Sequence, residues 1–456
     1  ERLRIFVGAA KERSTADGFR LPVDRAFSLA GVGTVVTGTT WSGTVAIGEE
    51  VALFPLGARG RVRSIEAYGA GVAAATPATR TAIGLAGIDR AAVKRGDVLL
   101  GGQVPWRATT GFDAEISLMS SAPRALALGT RVRVHLGTAE VLARVKPRGD
   151  IRPGETGLAR VVLEAPIVAR GQDRFVIRSY SPVTTIGGGR VIDPDPPARS
   201  TWPEGLTAAD PARRLEALLA RRPLGVRKAE VSLLLGLPPR EAESVAKRLA
   251  AVRGIGDHWV PTTTLRDLTE RATRQIEAHH RINPEDKGLS LETVRQALRA
   301  PEWITTQVLG DLERAQKIRV QAGLASLPDF EQTFRGGSGA VDRVVARIKA
   351  AGLEAPTLED LAAELGLPNL ATLVRHAAEL GTLVPVERNR YFHREALDRF
   401  RAAVRELGKA GEISPAGLRE RLGLTRKYLI PLLEWSDRAG LTRRIGDRRV
   451  LENPID

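Results

Sequence analysis

The spacing of apolar residues changes near residue 200, and this change constrains the fold more than any other feature of the sequence. From Phe19 to about Ile192, apolar residues alternate with polar ones or form short runs that glycines interrupt. After the proline-rich stretch 193–197, apolar residues recur with the helical period of about 3.6. The pattern predicts an all-β first part followed by a second part dominated by helices.

The β-rich part carries closely spaced turn signals, which are typical of small barrels or sandwiches. Gly101 and Gly102, followed by Pro105 and Trp106, indicate a boundary between two such units. We therefore predict one β-unit over residues 18–104 and a second over residues 105–198.

The helical part contains an internal repeat marked by the sequence Leu-Gly-Leu, which occurs at 235–237, 365–367 and 422–424. A more divergent copy lies around 289–318. Each copy reads as a short helix, a turn, a second amphipathic helix and a β-hairpin, the order of a winged helix. Gly236 and Gly366 are 130 residues apart, twice the length of about 65 residues that one such unit occupies. We predict winged helices over residues 199–265, 266–335, 336–395 and 396–456.

The chain is strongly basic. Lys and Arg number 68 against 53 Asp and Glu, a formal charge of +15, which favours a polyanionic partner, with nucleic acid ahead of an anionic membrane. No apolar window approaches the roughly 18 residues of a spanning helix, so we expect no membrane partner and a cytoplasmic location. Cysteine is absent, which excludes disulfides, thiolate metal sites and a thiol nucleophile.

The last repeat carries the clearest signal for nucleic-acid binding. Thr425 is placed to cap a helix whose first turn holds Arg426 and Lys427, where cations oppose the helix dipole unless an anion binds. Backbone N–H groups and these cations together predict a phosphate site. Tyr428 is placed to stack on a base, whereas Trp435 is expected in the core or at a hinge. The following hairpin, with Gly446-Asp447 as its turn, carries four arginines: Arg443, Arg444, Arg448 and Arg449.

Two other interpretations of this basic unit stay open. The arginines could simply solvate an exposed hairpin, as charge runs usually do. The repeats could also belong to a winged-helix transcription regulator, since winged helices most often read duplex DNA. The β-rich part and the crowding of cations at the helix start and hairpin, instead of along the exposed helix face, favour recognition of a folded RNA.

Three segments resemble bacterial selenocysteine-specific translation elongation factors. The first is Phe19 to Phe27 together with Gly31 to Thr39, and the second is Arg178 to Ile192. The third comprises Thr425 to Trp435 and Thr442 to Arg449. The strand Val-Gly-Thr-Val-Val-Thr-Gly alone also occurs in elongation factor Tu, so a fragment of another translational GTPase is an alternative, which leaves the helical repeats unexplained.

The resemblance implies two translation-factor β-barrels followed by four tandem winged-helix domains. It implies that Asp24, Arg25 and Arg80 bind the aminoacyl end of selenocysteinyl-tRNA, with the arginines favouring a selenolate over neutral serine and Asp24 orienting the amine. A barrel ion pair between Asp24 and an arginine, with no ligand, is the alternative. The last winged helix would bind the selenocysteine-insertion hairpin of mRNA, so that the tRNA reaches the ribosome at a recoded UGA codon.

The family is a GTPase, yet the sequence contains neither a Gly-x-x-x-x-Gly-Lys-Ser/Thr phosphate loop nor an Asn-Lys-x-Asp motif. We therefore expect that this chain binds no nucleotide or metal and is not an enzyme by itself. On this interpretation residues 1–17 are the remnant of a GTPase domain exit, and GTP and Mg²⁺ are expected only for that missing N-terminal domain. We expect no catalytic residues and a monomer.

Overall fold

The computed structural model describes residues 14–102, 104–199, 201–333, 339–367, 369–409, 411, 413–445 and 448–452. Most of the predicted N-terminal remnant and the Gly446-Asp447 turn therefore lie outside the described residues. The chain divides into two compact units, Glu1–Thr269 with Ala300–Val308, and Glu270–Arg299 with Leu309–Asp456. In the described part of the chain, no helix is long and apolar enough to cross a bilayer.

The first barrel is a six-stranded closed sheet in the order β4-β9-β1-β2-β8-β5, closed by pairing of β4 with β5. Its strands are β1 (Arg20–Leu29), β2 (Gly33–Thr39), β4 (Glu50–Phe54), β5 (Ala58–Ala67), β8 (Arg80–Ala86) and β9 (Val98–Leu100). The short strands β3 (Val45–Ala46), β6 (Ala70–Gly71) and β7 (Ala74–Ala75) lie beside it. Alternate residues such as Leu21, Val36 and Ile83 fill the interior, which is the burial that the two-residue period predicts.

The second barrel is also closed, in the order β10-β13-β12-β11-β14-β15. Its strands are β10 (Ala108–Leu118), β11 (Thr130–Leu136), β12 (Ala139–Pro147), β13 (Thr156–Val168), β14 (Arg174–Ser179) and β15 (Thr185–Asp193). Closure leaves no unpaired edge. The sequence prediction of two β-units is thus confirmed, and the fold of each is a barrel.

The helical part begins in the first unit with three helices and a small sheet. The elements are α1 (Pro211–Ala220), α2 (Glu230–Leu235), α3 (Pro239–Arg248), β16 (Val226–Arg227), β17 (Val252–Ile255) and β18 (His258–Pro261). Asp210 accepts a hydrogen bond from the Ala212 amide at the start of α1, and Gly236 ends α2 in a left-handed conformation. The change to helical structure after residue 200 is therefore confirmed.

The order of three helices and a hairpin recurs along the rest of the chain. The next elements are α4 (Thr262–Ile282), β19 (Leu289–Ser290), α5 (Leu291–Leu298), α6 (Glu302–Arg314), β20 (Arg319–Gln321) and β21 (Leu324–Ser326). Then follow α7 (Gly339–Ala351), α8 (Leu358–Leu365), α9 (Leu370–Glu379), β22 (Leu383–Glu387) and β23 (Arg390–His393). The last group is α10 (Arg394–Lys409), α11 (Pro415–Leu422), α12 (Arg426–Arg438), β24 (Thr442–Ile445) and β25 (Arg448–Leu451).

The last two groups, both in the second unit, share one hydrophobic core. Val344 and Leu373 of the earlier group belong to the same buried cluster as Phe400, Leu433 and Trp435 of the later one. The prediction that Trp435 lies in the core is confirmed, since it is 7% exposed. The two groups are therefore packed into one continuous core.

A buried charge network joins the second barrel to the first helical group within the first unit. Arg221, fully buried at its side chain, pairs with Asp113 and Asp193 of the barrel. Gly171 lies against Gly236, so closely that a Cβ at position 171 would lie 1.9 Å from the carbonyl oxygen of Leu234. Breaking a buried pair of this kind typically costs about 3–5 kcal/mol, so the network fixes this group on the barrel.

Candidate functional sites

The structure brings Asp24 and Arg80 together on the first barrel. Asp24 is the extra residue of a β-bulge, since Val23 pairs with Gly38 while Arg25 pairs with Thr37. A bulge redirects a side chain out of the regular alternation. Arg80 opens β8, the other neighbour of β2, and its Nη2 donates to Asp24 Oδ2 at 2.7 Å.

A third arginine, which the sequence interpretation did not include, joins this site. Arg95 Nη1 donates to Asp24 Oδ1 at 3.1 Å, so each carboxylate oxygen accepts from a different guanidinium. The pKa of Asp24 is lowered, first by the hydrogen bond from Arg80 and then by the positive charges of Arg80, Arg95 and Arg25. Arg95 is 71 residues beyond Asp24 in the sequence, and no local motif links the two.

Arg25 is exposed beside this cluster, so the site has three cations for one carboxylate. The ion pair that was the alternative interpretation is present, and it is shared between two arginines. The side chains of Arg80 and Arg95 are 55% and 70% exposed, which leaves their remaining N–H groups open to solvent. We call Asp24, Arg25, Arg80 and Arg95 the barrel site. Its excess of positive charge suits an anionic ligand.

The start of α12 presents Arg426 and Lys427 to solvent, as the sequence predicts. The expected cap is only half present, because Thr425 occupies the N-cap position in an extended conformation and its side chain makes no capping hydrogen bond. The first N–H groups of the helix therefore stay available to an anion. The pKa of Asp360 is lowered first by the hydrogen bonds from Thr357 and further by the positive charges of Lys427 and Arg390.

Tyr428 is only partly exposed. Its ring is half-buried against the shared core, with the guanidinium carbon of Arg390 5.3 Å from the ring centroid and Lys427 Nζ at 5.5 Å. These contacts join the hairpin of the preceding group to α12, and stacking of Tyr428 on a base stays a prediction.

The hairpin arginines divide into different roles. Arg443 is exposed, with Nε 3.6 Å from Glu452, and Arg444 is exposed on the same strand. Arg449 is 7% exposed, and its guanidinium binds Asp437 through Nε at 3.0 Å and Nη2 at 3.0 Å. It holds the hairpin on α12. Arg448 lies opposite Ile445, but its side chain is outside the described residues.

A further basic and aromatic surface lies on the second barrel. Tyr180 is 42% exposed, and the guanidinium carbons of Arg131 and Arg133 lie 4.7 Å and 5.7 Å from its ring centroid. Both arginines stand on β11, where the two-residue period places them on one face. Glu164 and Glu140 pair with them. The alternation of arginines in the sequence could have indicated this surface, but Tyr180 comes from a distant segment.

The part of the chain that the structure describes has no group of residues that fits the GTP and Mg²⁺ implied by the resemblance. Gly31 to Gly38 form the turn and strand of an antiparallel β1–β2 hairpin, and not a strand–loop–helix that could cradle phosphates. Within the described ranges, no three His, Asp or Glu side chains cluster closely enough to hold a metal ion.

Family models match three parts of the chain. A model described as elongation factor Tu domain 2 matches residues 33–100. One described as the β-barrel domain of selenocysteine-specific elongation factor matches residues 113–198, and one described as elongation factor SelB, winged helix, matches residues 405–451.

Whole-chain relatives agree with these matches. The selenocysteine-specific elongation factor of Desulfomicrobium baculatum is 31% identical over 96% of this chain and 72% of the relative. That of Escherichia coli is 27% identical over 98% of this chain and 72% of the relative. A crystal structure of bacterial selenocysteine-specific elongation factor EF-Sec matches with TM-score 0.57 at 21% identity, over 99% of this chain and 72% of that one, and shows the shared fold. The chain belongs to the family of selenocysteine-specific elongation factors.

Proposed function

We propose that this chain is an adaptor of selenocysteine incorporation, which binds selenocysteinyl-tRNA with its barrels and an mRNA hairpin with its last helical group. The observation that carries the proposal is the uncapped start of α12, where Arg426 and Lys427 stand exposed beside a hairpin that presents Arg443 and Arg444. These side chains break no bond. They bring tRNA and message together, so that tRNA is concentrated at the ribosome where a UGA codon is recoded.

The barrel site is proposed to bind the aminoacyl end of the tRNA. A selenol is more acidic than a thiol, so the esterified selenocysteine side chain is an anion at neutral pH, whereas serine is neutral. Arg80 and Arg25 provide the cationic surroundings that favour the anion, and the Asp24 carboxylate is suited to the neighbouring ammonium. The Tyr180 surface of the second barrel, with Arg131 and Arg133, is proposed to contact tRNA backbone.

The mRNA hairpin is proposed to bind at α12 and the exposed strand of the following β-hairpin. N–H groups of the first turn, Arg426 and Lys427 would receive a phosphate, and Arg443 and Arg444 would follow the RNA backbone. Arg448 stays a prediction within this surface. Arg449 and Tyr428 support it from inside the protein.

All four groups of three helices and a hairpin are proposed to be winged-helix domains, with boundaries near 199–265, 266–335, 336–395 and 396–456. We assign a spacing role to the first three groups, because residues of their hairpins pack against other residues of this chain. His258 of the first hairpin, for example, stacks on Trp303 with ring centroids 4.4 Å apart. Arg390 of the third hairpin contacts Tyr428.

The proposal is tested by electrophoretic mobility shift with the full chain, since residues 396–456 share their core with the preceding group and are not expected to fold alone. A selenocysteine-insertion mRNA hairpin is compared with an unrelated RNA hairpin and with duplex DNA, at two salt concentrations. Arg426→Ala is expected to weaken binding of the insertion hairpin by about tenfold and to reduce the salt slope by about one.

Arg399→Ala is the matched control, because Arg399 is an exposed arginine of α10 in the same helical group and outside the proposed surface. It should leave the affinity within a factor of about two, through the change of net charge alone. Equal or tighter binding to duplex DNA would contradict the adaptor role and support a DNA-binding regulator instead.

A further inference from the structure

Arg95 and Arg80 both donate to the carboxylate of Asp24, and this arrangement determines the net charge of the barrel site. If Asp24 were paired with Arg80 alone, those two groups would form a neutral pair. Because Arg95 Nη1 occupies the other oxygen at 3.1 Å, the three groups together keep a net positive charge. The neutralisation of Asp24 is therefore divided between two guanidinium groups.

Backbone hydrogen bonds hold the loop that carries Arg95 on the strand that carries Asp24. Gly96 N donates to Val23 O at 3.1 Å, and Val23 N donates to Asp97 O at 2.7 Å. The side chain of Asp97 turns back and accepts from Lys94 N at 2.7 Å. These bonds fix the backbone of Arg95 beside the bulge at Asp24, although the side chain of Arg95 is exposed.

The turn between β11 and β12 of the second barrel contacts this loop and β1. Thr138, in the turn between β11 and β12, donates from Oγ1 to Val23 O at 2.7 Å. Gly96 has a φ of +97° and lies so close that a Cβ there would be 3.0 Å from the Cα of Ala139. A larger residue at 96 would push the loop away, so the contact between barrels determines where Arg95 stands.

We propose that Arg95 is a further specificity-determining residue of the barrel site, which neutralises Asp24 so that Arg80 keeps an uncompensated positive charge for an anionic aminoacyl side chain. The inference rests on the proposed function of this site. Arg95 is a positioning residue in this role, because it acts on the ligand through Asp24 and Arg80.

The test measures the ratio of the affinities of the full chain for selenocysteinyl-tRNA and seryl-tRNA made on the same tRNA body. Arg95→Ala is expected to lower this ratio by about three- to fivefold, the effect typical of an exposed ion pair. Arg95→Lys should restore much of it. Affinity for deacylated tRNA and the melting temperature should stay unchanged, which a merely structural role for Arg95 would not predict.

Arg61→Ala is the matched control, since Arg61 is an exposed arginine on the same barrel, 3.8 Å from Glu50, and its loss changes the net charge equally. The decisive comparison uses Asp24→Asn. If Arg95 acts by neutralising Asp24, then adding Arg95→Ala to Asp24→Asn should have no further effect on the ratio.

The outcomes separate the inference from the function on which it rests. A wild-type ratio of one would overturn the proposed function and this inference with it. A wild-type preference that Arg95→Ala leaves as intact as Arg61→Ala does would overturn the inference alone. An effect of Arg95→Ala that persists undiminished in the Asp24→Asn background would show that Arg95 contacts the ligand directly, and would overturn the positioning role.

Discussion

Replacing Arg449 by Ala should destabilise the last helical group instead of weakening RNA binding directly. Arg449 Nε donates to Asp437 Oδ1 at 3.1 Å and to Oδ2 at 3.0 Å, and Nη2 lies 3.0 Å from Oδ2 as an ion-pair contact. A charge-assisted hydrogen bond of this kind contributes about 1.5–3 kcal/mol before mutual coupling. Asp437 keeps the hydrogen bond from Thr442 Oγ1 at 2.6 Å, and its side chain is 25% exposed. Arg449→Ala should therefore lower the free energy of unfolding by about 2 kcal/mol, which is less than the cost of leaving a fully buried charge unpaired.

Hydrogen–deuterium exchange of the full chain measures this loss where it occurs. A local destabilisation of about 2 kcal/mol speeds exchange of the amides of α12 and of the β24–β25 hairpin by about 30-fold. Amides of the two barrels serve as internal reference and should not change. Calorimetry should show the corresponding transition at a temperature lower by roughly 8 °C or more, for a cooperative unit of about 100 residues.

Arg443→Ala provides the comparison within the same hairpin. Arg443 is exposed and lies 3.6 Å from Glu452, so its stability contribution is about 0–1 kcal/mol. It should weaken binding of the insertion hairpin while leaving amide exchange almost unchanged. The reasoning is refuted if Arg449→Ala leaves exchange and melting as they are and reduces RNA affinity as Arg443→Ala does, since Arg449 would then be a ligand contact.

Two further predictions concern the first unit. Gly171→Ala should loosen the first helical group from the second barrel, because the added Cβ would lie 1.9 Å from Leu234 O. Gly149→Ala is the control, since the space around its Cβ is open. The rate of protease cleavage after α1 should rise for Gly171→Ala and stay unchanged for Gly149→Ala. Acidification should release the arginines of the barrel site only below the usual pKa of an aspartate, since the pKa of Asp24 is lowered by the hydrogen bond from Arg80 and by neighbouring cations. The ion pairs stabilise the site above the usual pKa of an aspartate, and they are lost as the pH falls through the lowered pKa of Asp24. Arg80→Ala should raise the midpoint of the Asp24 carboxyl in an NMR titration.

The sequence predicted those parts of the candidate sites that depend on local order. The start of α12 and the exposure of Arg426 and Lys427 follow from residues within one helical turn. The pairing of Asp24 with Arg80 was anticipated only as one of two alternatives, through the family resemblance. Its outcome depends on β1 and β8 standing on either side of β2 in a closed barrel.

The sequence interpretation did not anticipate which basic or aromatic residues of the last helical group are covered by the protein itself. Arg449 was assigned to RNA because the helix start and the hairpin of this group are both basic, and Tyr428 because of its place next to Arg426 and Lys427. Directly paired residues of an antiparallel hairpin project from the same face, yet Arg449 is buried against Asp437 while its partner Arg444 is exposed, so strand pairing does not decide which arginine is covered. Which face is covered depends on Asp437 and on the core of the preceding helical group.

The sequence by itself determined the order of architectures, two β-rich units followed by repeated helical groups, because strand and helix periods are local properties of the chain. The strong positive charge likewise favoured a polyanionic partner. Only the tertiary structure decided which cations are available to that partner, because Arg449, Arg221 and Arg95 owe their roles to carboxylates distant in sequence. An arginine is a ligand contact or an internal support according to what the fold places against it, and no spacing in the sequence records that.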